Sequence, residues 1–391
     1  MIDYSKILPQ KIRDIPKSGI RKYFDMISPD MKDVISLTVG QPDFVTPWHI
    51  REAGIQSLET GKTFYTANAG LLELRREIDK YMSRRFKLSY DPTSEIIVTV
   101  GGSEAIDIAM RATLDVGDEV IIPTPSFVCY EPLARMAGAV PVILETTFKD
   151  EFKIDPEKLR SLITPKTKML VLPFPNNPTG AIMTRDELQE IANIVRDTNI
   201  IILSDEIYAE MTYGTKHCSI ASIDGMKERT IVVNGFSKAF AMTGWRLGWV
   251  CAPAPITSQM LKIHQYEIMS SPTTSQFAAI SALRNGDEDI KYMVSEYDRR
   301  RTIIYNRLLE MGIDSFEPQG AFYIFPRISQ FGLDGEEFCS ELLKRYHVAI
   351  VPGEAFGASG KGFARISYAY SVNHILEGLD RMERFISELK K

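Results

Sequence analysis

Apolar residues in the middle of the chain come in short runs separated by longer amphipathic stretches. Between about residue 95 and residue 252 the runs are "EIIVTV", "DEVIIP", "VPVIL", "KMLVLP", "NIIILSD", "TIVVNGF" and "RLGWVCA". Short β-branched runs with little polar alternation predict strands buried on both faces, as in a mostly parallel sheet sandwiched by helices. The segments between them carry a helical period. In "TRDELQEIANIVRD", Thr184 followed by Glu187 predicts a capping box that opens an amphipathic helix.

After about residue 287 the pattern changes. A long charged helical stretch, "YMVSEYDRRRTIIYNRLLEMG", precedes the strand-like "GAFYIFPRI", a helix, "VAIVPG", the strand "FARISYAY" and a final helix. The expected architecture is α/β: a large domain over residues 45–287 and a smaller α+β domain over 288–391. Residues 1–44, whose "DVISLTVGQPDF" reads as a strand and turn with no helix to complete a unit, are expected to pack on the smaller domain. The run Arg299, Arg300, Arg301 lies beside Glu296 and Asp298 and reads as a solvated helix face.

Composition narrows the possibilities. The chain has 391 residues and 44% apolar content, enough to fill two cores. Its net charge of -5, with both signs mixed, provides no field for nucleic acid or anionic membranes, so neither is an expected partner. The N-terminus lacks a continuous apolar segment, and no apolar run approaches spanning length. Cys129, Cys218, Cys251 and Cys339 are scattered without a C-x-x-C pair. Reduced thiols, no metal site and a cytoplasmic location are therefore expected.

Ligands of open α/β sheets bind beyond the carboxyl ends of the strands, and several strand ends here carry unusual residues. "GGSEA" puts Gly101, Gly102 and Ser103 at a helix start, a geometry that suits an anion as well as an ordinary turn. "TPSFVCYEP" brings Phe127 and Tyr130 to the mouth of the site, with core packing the default reading for both, and "NNPTG" offers the amides of Asn176 and Asn177. Asp205 ends an apolar strand, where a carboxylate needs a cation or hydrogen bonds, a helix N-cap being the other explanation. Lys238 follows "TIVVNGFS", with Arg246 eight positions on. A lysine in a partly buried site loses its proton readily and becomes a nucleophile or base. An amine, a carboxylate, amide donors, an aromatic face and an anion cradle together match one ligand, pyridoxal 5'-phosphate.

With these residues assembled, the chain resembles the fold-type I pyridoxal-phosphate aminotransferases of class I and II. "GFSKAFAMTGWRLG" is similar to the family's Schiff-base lysine signature, and "YTANAGLLELR", "NNPTG", "SDEIY" and "FARIS" match family motifs in order. The resemblance implies that Lys238 is the Schiff-base lysine and proton shuttle, Arg246 the phosphate arginine and Asp205 the partner of the pyridine nitrogen. It implies that Asn177 and Tyr208 donate to the phenolic oxygen and that Phe127 stacks on the ring. Gly101, Gly102 and Ser103, with Ser237, would form the phosphate loop. Arg365 would bind the substrate α-carboxylate, with Gly40 and Asn177 beside it. Tyr65 would reach a neighbouring subunit's phosphate, which implies a homodimer with shared active sites. Some relatives carry serine where this chain has Gly235.

The implied reaction is transfer of an amino group from an L-amino acid to a 2-oxo acid such as 2-oxoglutarate by a ping-pong mechanism. Aromatic amino acids, N-acetyl-diaminopimelate-like donors and aspartate are the candidate donors, and Arg21 is either a reader of a distal substrate group or a surface residue. The same scaffold also supports carbon–sulfur lyase and aminocyclopropane-carboxylate chemistry. A cofactor-sensing transcription regulator would need a DNA-binding domain ahead of these residues, and a nicotinamide enzyme would need a G-x-G-x-x-G after the first strand, which is missing.

Overall fold

The computed structural model describes residues 2–20, 23, 31 and 33–390. A short strand β1 (Ile35–Ser36) precedes seven strands of one sheet: β2 (Ile96–Thr99), β3 (Glu119–Thr124), β4 (Val140–Glu145), β5 (Thr167–Leu172), β6 (Ile201–Asp205), β7 (Thr230–Gly235) and β8 (Gly248–Cys251). Their order is β2-β8-β7-β6-β5-β3-β4, and every pairing is parallel except those of β8, which runs against both neighbours. The seven apolar runs are thus seven strands, and the α/β expectation holds. β2, β7 and β8 are buried along their whole length, as expected of strands covered on both faces. The helix Arg185–Val195 opens with the expected capping box between Thr184 and Glu187.

The topology decides where the chemistry gathers. Five strands, β2, β3, β5, β6 and β7, deliver the residues that follow them to one edge of the sheet. Because β8 is antiparallel, the residues that precede it lie at that same edge. Lys238, just after β7, and Arg246, just before β8, therefore share one edge although the segment between them makes no strand.

The C-terminal part is built from β9 (Tyr323–Ile324), β10 (Val348–Ala349), β11 (Val351–Pro352) and β12 (Ala364–Ser367), with helices over Asp287–Glu310, Gly335–Tyr346 and Val372–Leu389. β12 pairs antiparallel with β9 and β11, and β1 pairs in parallel with β10. Leu37, Phe322, Ile350, Ile366, Phe338 and Phe385 share one apolar core there. Arg300 departs from the solvated face expected of it. The helical period places it on the stripe of Met293, Tyr297 and Ile304, which is buried. Asp43 supplies the counter-charge at 2.7 Å, and the Phe44 and Tyr297 rings lie under the guanidinium at 5.2 and 5.5 Å. A buried cation is tolerated where such a partner is built in.

Gly248 opens β8 against the loop after β2, where a Cβ would come within 2.8 Å of the Gly101 carbonyl carbon and 3.0 Å of the Asn234 oxygen. Both obstacles are backbone, which cannot swing aside. Gly248→Ala should cost about 1–3 kcal/mol of stability, read as a lower urea midpoint. A midpoint equal to that of the parent would show that the close packing of β8 on the loop is not required.

Candidate active site

The carboxyl edge of the sheet and the C-terminal part enclose a cavity of about 350 Å³, lined by Lys238, Asp205, Tyr208, Asn177, Phe127, Gly102, Ser103, Ser237, Arg246, Gly40 and Arg365 among others. Most residues singled out from sequence are thereby brought together. Lys238 Nζ donates to the Gly40 carbonyl at 2.6 Å and lies 5.6 and 5.7 Å from the Tyr208 and Phe322 ring centres. Burial, then the positive charges of Arg365 and Arg246, lower its pKa to about 8, against a weaker opposing pull from Asp205. A lysine so placed is partly an unprotonated amine at neutral pH.

Asp205 is buried at the end of β6. Its carboxylate accepts from Tyr130 Oη at 2.7 Å and from the Ile207 N–H at 3.2 Å. Burial nevertheless raises its pKa. A carboxylate that remains costly after two hydrogen bonds calls for a cation in the cavity. Across the cavity, Arg365 is 2% exposed and lies over the Tyr323 and Phe356 rings at 4.6 and 4.9 Å. It donates from Nη1 to Asn177 Oδ1 at 3.0 Å and from Nη2 to the Thr38 carbonyl, while Nε has no partner. Burial lowers its pKa. With Asn177 Oδ1 turned to Arg365, the Asn177 amide N–H groups stay available. The Tyr208 and Tyr323 hydroxyls share a hydrogen bond of 2.8 Å.

At the other end, Gly101 adopts φ 80°, the left-handed region that suits glycine, and begins the helix Gly102–Thr113. A Cβ on Gly101 would meet Arg246 Nη2 at 2.8 Å, so the loop and the guanidinium form one cradle that a side chain would fill. Free N–H groups at a helix start beside an arginine suit a phosphate. The serine of some relatives would be a tight fit at Gly235, its Cβ lying 3.0 Å from Gly248 Cα and 3.1 Å from Ile207 Cδ1. Ser237 lines the cavity in its stead. An amine bonded to a backbone carbonyl, a carboxylate with no ion pair among the described residues, amide donors and an anion cradle fit the donor and acceptor pattern of pyridoxal phosphate.

Tyr65 lies outside this cavity and is 77% exposed. Phe127 meets Tyr130 edge to face, with ring centres 6.2 Å apart. Arg21 lies outside the described residues. Two residues with a direct part went unassigned from sequence. Tyr130 holds Asp205 although core packing was the default for it, and Tyr323 holds Tyr208. For Tyr323, the aromatic-rich "GAFYIF" was the only signal.

Comparison with known proteins points the same way. Residues 32–382 match the family described as aminotransferase class I and II. An aspartate aminotransferase of Pyrococcus abyssi is 46% identical over 376 residues, 95% of this chain and 96% of that protein. A Bacillus subtilis protein named as the candidate N-acetyl-LL-diaminopimelate aminotransferase is 45% identical over 385 residues, 98% of this chain and 96% of its own. The crystal structure of an aromatic aminotransferase from Pyrococcus horikoshii superposes with a TM-score of 0.90 at 45% identity, covering 95% of this chain and 99% of that one.

The electrostatics of Lys238 are testable without cofactor. Competitive acetylation of the cofactor-free protein should titrate Lys238 near pH 8, the value that burial and the two arginines impose. Arg365→Met removes one of the charges that disfavour the ammonium, so the midpoint should move up. Titration of Lys238 in the range of ordinary surface lysines, or no shift in the variant, would contradict the geometry.

Proposed function

The chain belongs to the class I and II aminotransferases, which depend on pyridoxal phosphate, and from that membership we propose that it moves the amino group of an L-amino acid to a 2-oxo acid by a ping-pong mechanism. One observation carries the assignment of residues: a lysine with its pKa lowered to about 8 shares a cavity with a buried arginine that no carboxylate pairs among the described residues. The amine awaits an aldehyde, and the guanidinium awaits the carboxylate of a substrate. Bound there, pyridoxal phosphate supplies that aldehyde and a ring able to accept negative charge from the substrate Cα.

Lys238 Nζ would hold the cofactor covalently and, once released by substrate, take the Cα proton and return it at the end of the transfer. Asp205, kept in place by Tyr130 and the Ile207 N–H, would hold a proton on the ring nitrogen. That proton supplies the cation whose lack makes the buried carboxylate costly. Asn177 and Tyr208 would donate to the phenolic oxygen, Phe127 would cover the ring, and Gly101, Gly102, Ser103, Ser237 and Arg246 would hold the phosphate. Arg365 would grip the substrate carboxylate with two N–H groups, with Asn177 and the backbone at Gly40 beside it. That grip sets which Cα bond is broken.

Apart from Lys238, Arg246 and Arg365, no cation lines the cavity among the described residues, and Ile20, Ile106, Phe127 and Pro175 provide apolar walls. We therefore place aromatic donors first and keep N-acetyl-diaminopimelate-like donors and aspartate behind them, with 2-oxoglutarate as acceptor. The cofactor-holding part is residues 45–287, with 288–391 and the packed segment 1–44 closing the site. Phe64, Tyr65, Trp48, Leu58 and Tyr266 are exposed aromatic and aliphatic residues, which supports a homodimer in which Tyr65 serves the partner's site. Among the described residues no helix is long and apolar enough to cross a membrane. We place the enzyme in the cytoplasm.

Initial rates at several fixed acceptor concentrations should give parallel double-reciprocal lines, and converging lines would rule out the two half-reactions. Asp205→Ala should cut kcat by about 10²-fold or more, and Lys238→Ala should remove turnover. Near-normal rates in either variant would overturn the assignment. Arg365→Lys should raise KM for donor and acceptor alike, by about 1.5–3 kcal/mol in binding. A change in KM for only one of the two would place the common carboxylate site elsewhere.

A further inference from the structure

Behind the loop 100–104 sits His264, on the helix Ala254–Glu267 and 0% exposed. It neither lines the cavity nor belongs to any motif described above. Its Nδ1 lies 2.5 Å from Glu104 Oε1, and its Nε2 lies 2.9 Å from the Asn68 carbonyl oxygen. A carbonyl only accepts, so Nε2 carries a proton. With that proton on Nε2, Nδ1 and Glu104 Oε1 share one further proton in a hydrogen bond.

Glu104 is the third residue of the helix that starts at Gly102. Its other oxygen accepts from the backbone N–H of Val100, the residue before Gly101. One carboxylate thus spans the glycine turn, tied in front to the end of the strand and behind to His264. Little of its surface meets water, its side chain being 9% exposed. A buried carboxylate that loses one of two donors turns toward solvent, and the turn it spans would lose its brace.

We propose that His264 is a positioning residue of the anion cradle: through its bond to Glu104 it holds the loop 100–104 so that the N–H groups at the helix start stay beside Arg246. The proposal rests on the phosphate role of this loop given above. It concerns only the phosphate end of the cavity, because neither His264 nor Glu104 contacts Lys238, Asp205 or Arg365.

The test compares dissociation constants of pyridoxal 5'-phosphate and of pyridoxal, which lacks the phosphate, for the cofactor-free protein and two variants. In His264→Asn the amide nitrogen takes the place of Nδ1 and keeps the bond to Glu104. In His264→Gln it takes the place of Nε2 and loses that bond. His264→Gln should weaken pyridoxal phosphate about tenfold or more and leave pyridoxal unchanged, while His264→Asn should restore the parent's preference. An unchanged ratio of the two constants in His264→Gln, or equal weakening of both ligands, would overturn the proposal. Should His264→Gln fail to fold, Glu104→Ala removes the same link from the other side and should show the same selective loss, an unchanged ratio again overturning it. If the parent protein itself bound both ligands equally, the phosphate role of the loop would fail, and the proposal with it.

Discussion

The site depends on keeping one amine, Lys238 Nζ, in a cavity poor in water and close to two guanidinium groups. Burial and the charges of Arg365 and Arg246 both disfavour the ammonium, against the single opposing charge of Asp205. A surface lysine would be almost wholly protonated at neutral pH and unable to attack an aldehyde. The same cavity leaves Arg365 short of an anion and Asp205 short of a cation. These deficits cost stability in the protein alone and, in the proposed function, would be relieved together by a cofactor with a protonated ring and a substrate with a carboxylate. Unfavourable electrostatics here would thus be the source of binding and reactivity.

Sheet topology makes that concentration of charge possible. Parallel strands bring Gly101, Phe127, Asn177, Asp205 and Lys238 to one edge from distant parts of the chain, and the single reversed strand β8 adds Arg246. Arg365 and Gly40 come from the opposite wall, where β1 is joined to β10 and β12 to its two neighbours. Glycine at position 248 lets β8 approach the loop after β2 more closely than a side chain would allow, and glycine at 101 leaves Arg246 its place beside that loop. The cradle for an anion follows from that close packing.

Much of this was legible in the sequence, for a physical reason. Buried parallel strands concentrate β-branched residues, so all seven strands of the large sheet stand out as runs, and a capping box announces itself within four residues. Lys238 and Arg246 lie in one contiguous motif at the sheet's edge. Tyr130 and Tyr323 were not legible as site residues, because their partners Asp205 and Tyr208 lie 75 and 115 positions away. Arg300 misled because charged neighbours disguise the one arginine on the buried stripe. His264 carries no local signature, since its meaning lies in two acceptors from other segments of the chain.

The most direct test of the account is the visible absorption of the purified protein with pyridoxal phosphate, recorded before and after single amino acids and then 2-oxoglutarate are added. The account predicts that the band of the lysine-bound cofactor bleaches with particular donors, stays bleached once the donor is removed, and returns with the oxo acid. A protein that forms no such band, or one that consumes amino acids without any lasting bleach, as a lyase would, contradicts it.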